Sequence, residues 1–351
     1  MKRLLCVLLC VLLLPLCTAC GEEALTRYTY SFFGTFDTII ILIGYAPDRA
    51  TFDEAAQLCE REFRRLHTLF TPYLHADGEN NLFNLNNGAW KEPMVVGQDM
   101  MNLLLYCKEM QARLPGTVNV AMGRVLNLWH QAREDADYGE VAPYLPDMDA
   151  LREAAAHCSM EDVILDPEAM TVYYADPLLR LDLGCIAKGY AAEVVAAQVA
   201  ELMPRFTINA GGNIVVGDGP ANELGLWKAG IQRPDSPIVS DADETLTTIA
   251  FSNGALVTSG DYQRYFVVDG VRYHHIIDPQ TLMPAGHMRA VTILAPSSTE
   301  ADFLSTAAFL LPYEESRAMI DGLDGVEALW VLNDGTVMMT DGFAALQLTG
   351  D

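Results

Sequence analysis

The sequence predicts an α+β fold with a largely antiparallel sheet and packed helices. Three observations carry that expectation. Apolar residues recur at helical spacing in several separate stretches. Short β-type runs crowd the region from 205 to 295. No linker rich in Pro, Gly or Ser and no internal repeat divides the chain, so residues 20–351 read as one domain behind a leader.

The elements follow in order. Met1, Lys2 and Arg3 form a short positive head, Leu4 to Leu16 are almost wholly apolar, and small Thr18 and Ala19 precede Cys20. That is a secretory signal layout. Its apolar run is about thirteen residues, whereas a membrane span needs roughly 20. The segment resembles a bacterial lipoprotein signal, with Cys17 standing where such signals usually carry Leu. The resemblance implies a signal peptide over 1–19, cleavage before Cys20, and lipid on its sulfur. The protein is then expected on the extracytoplasmic side of a bacterial cell membrane, held by that lipid.

Residues 28–45 are rich in Thr, Phe, Ile and Tyr around Gly34 and read as a strand pair or one bent strand. Phe52, Ala55, Ala56, Cys59, Phe63, Leu66 and Phe70 place an amphipathic helix over 51–70, which Pro72 ends. The Asn- and Gly-rich stretch 77–88 reads as a loop. A helix over about 97–114 stops at Pro115-Gly116. Residues 131–150, acidic with Pro143 and Pro146, read as a surface excursion. A short helix near 148–157, strands near 162–165 and 169–174, and a helix over 186–202 come next. Strand runs follow at 206–216, 225–232, 246–258, 263–268, 271–277 and 288–295. Helices near 299–311 and 313–322 and strands near 327–340 complete the chain.

Composition narrows the function. Lys plus Arg number 22 against 47 Asp plus Glu, a formal charge of −25 that becomes −27 once Lys2 and Arg3 are removed. At 51% apolar residues the chain has too much hydrophobicity for a disordered polymer. Its acidity opposes nucleic-acid phosphates, so no nucleic-acid partner is expected. An anionic ligand would need a local cation. Beyond Cys20 only Cys59, Cys107, Cys158 and Cys185 remain, and no CxxC pair suggests zinc. Cys59 and Cys107 read as buried free thiols.

Five segments could carry chemistry. In Leu181 to Tyr190 a strand ends at a Gly turn and a helix begins, so free backbone N–H groups and Lys188 could hold a phosphate, with Asp182 near. By itself this is better read as an Asp-Gly turn with a solvated Lys. In Ser297 to Thr306, Ser297 and Glu300 fit a capping box, while Asp302 and Thr306 share a helix face as hard oxygen donors suited to Mg²⁺. Alone, Asp302 is better read as an acidic residue favoured by the helix dipole. In Tyr273 to Pro279, His274 and His275 face opposite sides of a strand and do not chelate one metal together. One of them could be a general base or merely a strand-end His. Asn209-Ala210-Gly211-Gly212-Asn213 reads as a bulge or tight hairpin. Val257 to Tyr265 is a Ser-Gly turn beside an aromatic strand.

Taken in order, Phe33-Gly34-Thr35, Leu181 to Tyr190, Asn209 to Asn213, Ser259 to Tyr265, His275 to Pro279 and Ala301 to Thr306 resemble the ApbE-type family of FAD:protein FMN transferases. The resemblance spans nearly all of 30–340. It implies an α+β fold with a T-fold-like core. It also implies Mg²⁺-dependent cleavage of FAD, transfer of FMN to a Thr or Ser hydroxyl of an exported acceptor flavoprotein, and release of AMP. It places flavin contacts at Phe33, Tyr73, Asp182, Lys188 and Ile276, with Thr117, Val118 and Asn119 aligned to a further binding segment. It places metal ligands at Asp302, Thr306 and the carbonyl of Cys185, and the base at His275. Phe33 stands where Met is usual, Asn119 where Asp is usual, and Leu282 where the family's turn has Gly. Two other readings share these residues: a Mg²⁺-dependent FAD pyrophosphatase using water, and a non-catalytic FAD-binding lipoprotein.

Overall fold

The structure, a computed structural model, describes residues 24–139, 141–220, 222, 224–234 and 245–348. The leader and Cys20 lie outside the described residues.

Chain order begins with β1 (Thr26–Thr35), β2 (Thr38–Ala46), α1 (Arg49–Phe70), α2 (Leu82–Gly88), β3 (Met94–Val95) and α3 (Gln98–Arg113). It continues with α4 (Gly123–Tyr138), α5 (Met148–Ala155), β4 (Val163–Asp166), β5 (Thr171–Tyr174) and α6 (Ala187–Leu202). Then come β6 (Phe206–Ala210), β7 (Asn213–Val216), β8 (Trp227–Gln232), β9 (Thr245–Phe251), β10 (Gly254–Gly260), β11 (Tyr265–Val268), β12 (Val271–His274) and β13 (Met288–Ala295). The last elements are α7 (Ser298–Leu310), α8 (Tyr313–Asp321), β14 (Glu327–Leu332), β15 (Val337–Met339) and α9 (Asp341–Ala345).

Eight strands form one sheet in the order β1-β2-β6-β7-β10-β13-β14-β15, and every adjacent pair is antiparallel. The expected α+β class with an antiparallel sheet is what the chain adopts. Alternation along the strands gives the sheet two apolar faces. Ala255 and Val257 of β10 join the main core, against α1, α6 and α7. Leu256 between them joins a second core, capped by the β8–β9 hairpin and by Phe343 of α9. A third cluster sits apart, where Val125 and Trp129 of α4 and Leu151 of α5 meet Phe266 of β11.

Local chemistry explains the helix ends. Asp48 caps α1 by accepting from the Thr51 N–H at 2.8 Å, the usual role of a carboxylate at this position. Ser297 caps α7 by accepting from the Glu300 N–H at 3.2 Å. That is half of the expected capping box. Glu193 of α6 supplies a further acceptor for this helix start, taking the Ser297 hydroxyl at 2.6 Å and the Thr299 N–H at 2.9 Å. Cys59 and Cys107 are buried free thiols, and burial pushes both up to about 12.

Two expectations are corrected. The stretch 77–88 is not all loop, because Asn81 accepts from Asn84 N–H at 2.9 Å and buried Leu82 and Leu85 anchor the short helix α2. The acidic stretch from 131 is not an excursion at its start. Helix α4 runs through it to Tyr138, buries Ala132, and ends at Gly139 in the left-handed conformation, with a φ of 67°. Glycine is the residue that most readily closes a helix this way. The acidic side chains occupy the solvent side of a helix whose other side is core.

Candidate functional site

A cavity of about 730 Å³ opens where the three apolar clusters meet. Its walls come from the β1–β2 turn, residues 126–133 of α4, the start of α6, the β6–β7 turn, β10, the segment 273–277 and residues 302–310 of α7. That volume lies in the range of small-molecule and cofactor sites.

The end of β12 places two adjacent histidines differently, His274 as its last residue and His275 just beyond it. His274 is buried, with Nε2 2.8 Å from the Ala285 carbonyl oxygen and Nδ1 accepting from the Ile276 N–H at 3.2 Å. Both ring nitrogens are occupied, so His274 is a neutral structural residue. His275 lies on the cavity wall, with Nδ1 3.2 Å from the Arg264 carbonyl oxygen. A carbonyl only accepts, so Nδ1 carries the proton and Nε2 keeps its lone pair. The imidazole is exposed toward the cavity. The protein packed around the cavity, and then the Arg264 guanidinium, lower its protonation below the ordinary imidazole value.

The start of α6 and the middle of α7 meet across Gly189. A Cβ there would lie 2.3 Å from the Ser298 carbonyl oxygen and 2.5 Å from Asp302 Cβ. Only glycine lets the helices come this close. The approach lets the Gly189 N–H donate to Asp302 Oδ2 at 2.7 Å. Lys188 Nζ stands 3.6 Å from Asp302 Oδ1 and 3.4 Å from Asn213 Oδ1. The helix start that the sequence marks as an anion site thus already holds one anion, the 3% exposed carboxylate of Asp302. Thr306 lies one turn along α7, its hydroxyl 3.5 Å from both the Asp302 carbonyl oxygen and Ser259 Oγ.

The donor set expected for Mg²⁺ is an oxygen set: one carboxylate, one hydroxyl and one backbone carbonyl. Asp302, Thr306 and Cys185 all lie on the cavity wall. A buried carboxylate facing a cavity beside a single ammonium suits a hard cation. Among the described residues no group of three or more His, Cys, Asp or Glu gathers as a softer metal cluster. The Cys185 thiol is held well above its ordinary value by burial and is no thiolate ligand.

The other expected residues divide. Asp182 is on the wall; its Oδ1 accepts from the Gly184 N–H at 2.8 Å, and burial raises its carboxyl. Thr117, Val118 and Asn119 line the cavity, but the polar side chains serve the backbone. Thr117 Oγ1 donates to Leu114 O at 2.7 Å, and Asn119 bridges Cys158 O and Ala121 N–H at 2.8 and 2.9 Å. Ile276 lines the wall from the core side, and Tyr73 from the rim. Phe33 does not line the cavity: it stands on the edge strand β1, 78% exposed, and Phe36 at the β1–β2 turn lines the wall instead.

Residues the motifs did not single out also converge here. His130 and Arg133 of α4 line the cavity, His130 stacked on Tyr73 with ring centroids 4.6 Å apart and its Nδ1 accepting from Arg133 Nη2 at 2.9 Å. Leu126, His130 and Arg133 stand at helical spacing, a signal that the acidic, Pro-containing stretch from 131 obscures. Arg264 ties the turn down, donating to the Phe36 carbonyl oxygen at 3.0 Å.

Residues 33–330 match the family model described as the ApbE family. The chain is 34% identical over 278 residues to a Treponema pallidum protein named FAD:protein FMN transferase, covering 75% of this chain and 74% of that one. A Klebsiella pneumoniae protein of the same name is 28% identical over 303 residues, covering 86% and 88%. Among solved structures, the ApbE protein of Thermotoga maritima superposes with a TM-score of 0.79 at 27% identity, over 92% of this chain and all of that one. The agreement of sequence over most of the chain with the shape of the whole domain leads to one conclusion: the chain belongs to the ApbE family.

Proposed function

We propose that the protein is a FAD:protein FMN transferase that moves FMN from FAD to a Thr or Ser hydroxyl of an exported acceptor protein, with release of AMP and dependence on Mg²⁺. The observation that carries this reading is the convergence on one cavity of the His275 ring with a free Nε2, the Lys188 ammonium and the buried Asp302 carboxylate. The names of the relatives above support the same activity.

Each residue then has a task. Aromatic and aliphatic wall residues, Phe36, Tyr73 and Ile276, offer the apolar contact a flavin ring needs. Lys188 supplies a cation to the pyrophosphate in a chain that is otherwise strongly acidic. His275 Nε2 accepts the proton of the acceptor hydroxyl. The hydroxyl oxygen forms a bond to the phosphorus of the FMN half. The anhydride P–O bond breaks, and its electron pair leaves on the AMP phosphate. Asp302, Thr306 and the Cys185 carbonyl would hold Mg²⁺, which when bound neutralises charge building on the phosphates. In the free protein His275 is a weak base. An anionic pyrophosphate beside it favours imidazolium and raises its basicity once substrate is in place.

Lipid attachment at Cys20 belongs to the same proposal, since it would hold the enzyme beside exported acceptors. The activity is tested by incubating the purified protein with FAD and an exported flavoprotein acceptor bearing a candidate Thr across a Mg²⁺ titration and measuring AMP. The wild type is expected to release AMP only with Mg²⁺, and Asp302→Asn to release at least about 100-fold less. Metal-independent release, or undiminished release by the variant, would contradict the assignment. Water as acceptor would give the same AMP with free FMN, and acceptor labelling separates the two.

A further inference from the structure

Asn213 is out of place as a core residue. It opens β7 directly after the turn at Gly211 and Gly212. The φ values of those glycines, 59° and 93°, make the sharp reversal possible. Alternation puts Asn213 on the same sheet face as Val215, which packs into the main core, whereas Ile214 faces the second core. A position of that kind usually carries an apolar side chain. Asn213 is 1% exposed, and its Nδ2 has no hydrogen-bond partner among the described residues. A buried amide donor left unpaired is destabilising. Its Oδ1, in contrast, is used, 3.4 Å from Lys188 Nζ.

Lys188 therefore stands between two acceptors, Asn213 Oδ1 on the sheet and Asp302 Oδ1 on α7. The two are not equivalent. The Asp302 carboxylate also takes the Gly189 N–H and is the group suited to a divalent cation, so its hold on the ammonium is shared. Asn213 is neutral and has no such competitor. It can hold Lys188 without cancelling the charge that a phosphate would meet.

We propose that Asn213 is a positioning residue for Lys188, fixing the ammonium at the phosphate-binding wall, and that the unpaired Nδ2 is the stability cost of that role. This rests on reading the cavity as a FAD site. The hairpin turn acts with it: at Gly211 a Cβ would lie 2.0 Å from Thr38 Oγ1, so the tip is set tightly against the β1–β2 hairpin and Asn213 has one position.

The test is a double-mutant cycle on the purified protein, with FAD affinity followed by flavin fluorescence and unfolding followed separately. Lys188→Met is expected to weaken FAD binding about tenfold or more, as loss of a charged hydrogen bond does. Asn213→Leu is expected to weaken binding by a similar factor in the wild type, yet to add almost nothing in the Lys188→Met background. It is also expected to raise the unfolding midpoint, because the orphaned donor is gone. If leucine is not accommodated, Asn213→Ala serves in the same cycle for the binding readout. An Asn213 variant that leaves FAD affinity unchanged, or that weakens it by the same factor in both backgrounds, would overturn the proposal. Failure of the wild type to bind FAD would instead overturn the reading of the cavity, and the two failures are distinct measurements.

Discussion

The ring of His275 is bound to the backbone of Arg264: Nδ1 lies 3.2 Å from that carbonyl oxygen, and the His275 N–H meets the same oxygen at 3.1 Å. One carbonyl so fixes both the strand and the tautomer, leaving Nε2 to accept a proton. The surrounding protein and the Arg264 guanidinium hold the free ring neutral below the ordinary imidazole value of about 6.5. Because kcat/KM reports the free enzyme, its pH profile is expected to show no rising limb centred near 6.5. The profile of kcat reports the complex, where bound phosphates raise the imidazole, so its rising limb is expected at higher pH. His275→Asn is expected to lower kcat by about 10²- to 10⁴-fold while FAD still binds. A rising limb near 6.5 in kcat/KM, or a variant with normal kcat, would remove His275 as the base.

Gly189 is the point at which fold and site depend on one atom. Its missing Cβ permits the contact between α6 and α7 and the 2.7 Å hydrogen bond to Asp302. Gly189→Ala is expected to force the helices apart, costing about 1–3 kcal/mol of stability and displacing Asp302. Urea unfolding and AMP release should fall together. Normal values of both would show that the helices part without consequence.

His274 makes stability depend on pH. Burial lowers its protonation below the ordinary imidazole value, with the Ala285 carbonyl opposing in part. Below about pH 6.5 an unfolded chain's imidazole takes up a proton that the folded one refuses. The unfolded state then binds more protons, so this contribution is full above that pH and is lost as pH falls through it. His67 and His130, both half-buried, and His275 are lowered as well and act in the same direction. The urea midpoint is expected to drop between pH 7.5 and 5.5, and less so in a His274→Gln variant. A midpoint constant over that range would contradict this.

Membrane attachment is tested by Cys20→Ala. The expectation is that the wild type sediments with membranes and the variant does not acquire lipid. A wild type without lipid on that residue, by mass, would end the proposal of an anchor.

Much of the fold was legible because it rests on periodicity. Phe52 through Phe70 announced α1, and the antiparallel sheet followed from short strand runs. Helix α2 was hidden because its Asn residues, usual in loops, act as cap and surface. Helix α4 was hidden because its charges mask Val125, Trp129 and Ala132, and with it went His130 and Arg133. At the site, the family resemblance pointed to His275 and Asp302 but not to what they touch. Asp182, Thr117 and Asn119 look like ligands in one dimension, yet each is partly engaged by backbone N–H or carbonyl groups. Leu282 was marked by its departure from glycine, and its φ of 62° is indeed a glycine-type conformation. The strain of that conformation is about 1–2 kcal/mol. It is opposed by burial of the side chain and by the Trp129 indole N–H, which donates to the Leu282 carbonyl at 3.0 Å.

The most direct measurement is the intact mass of an acceptor. The protein would be incubated with FAD, Mg²⁺ and an exported flavoprotein bearing a candidate Thr, and AMP and free FMN would be quantified beside it. The account predicts an acceptor heavier by one FMN phosphoester, one AMP for each, and neither product with Asp302→Asn. An unmodified acceptor with equal AMP and free FMN, across several such acceptors, would contradict transfer and leave hydrolysis; FAD bound and intact would leave a binding protein.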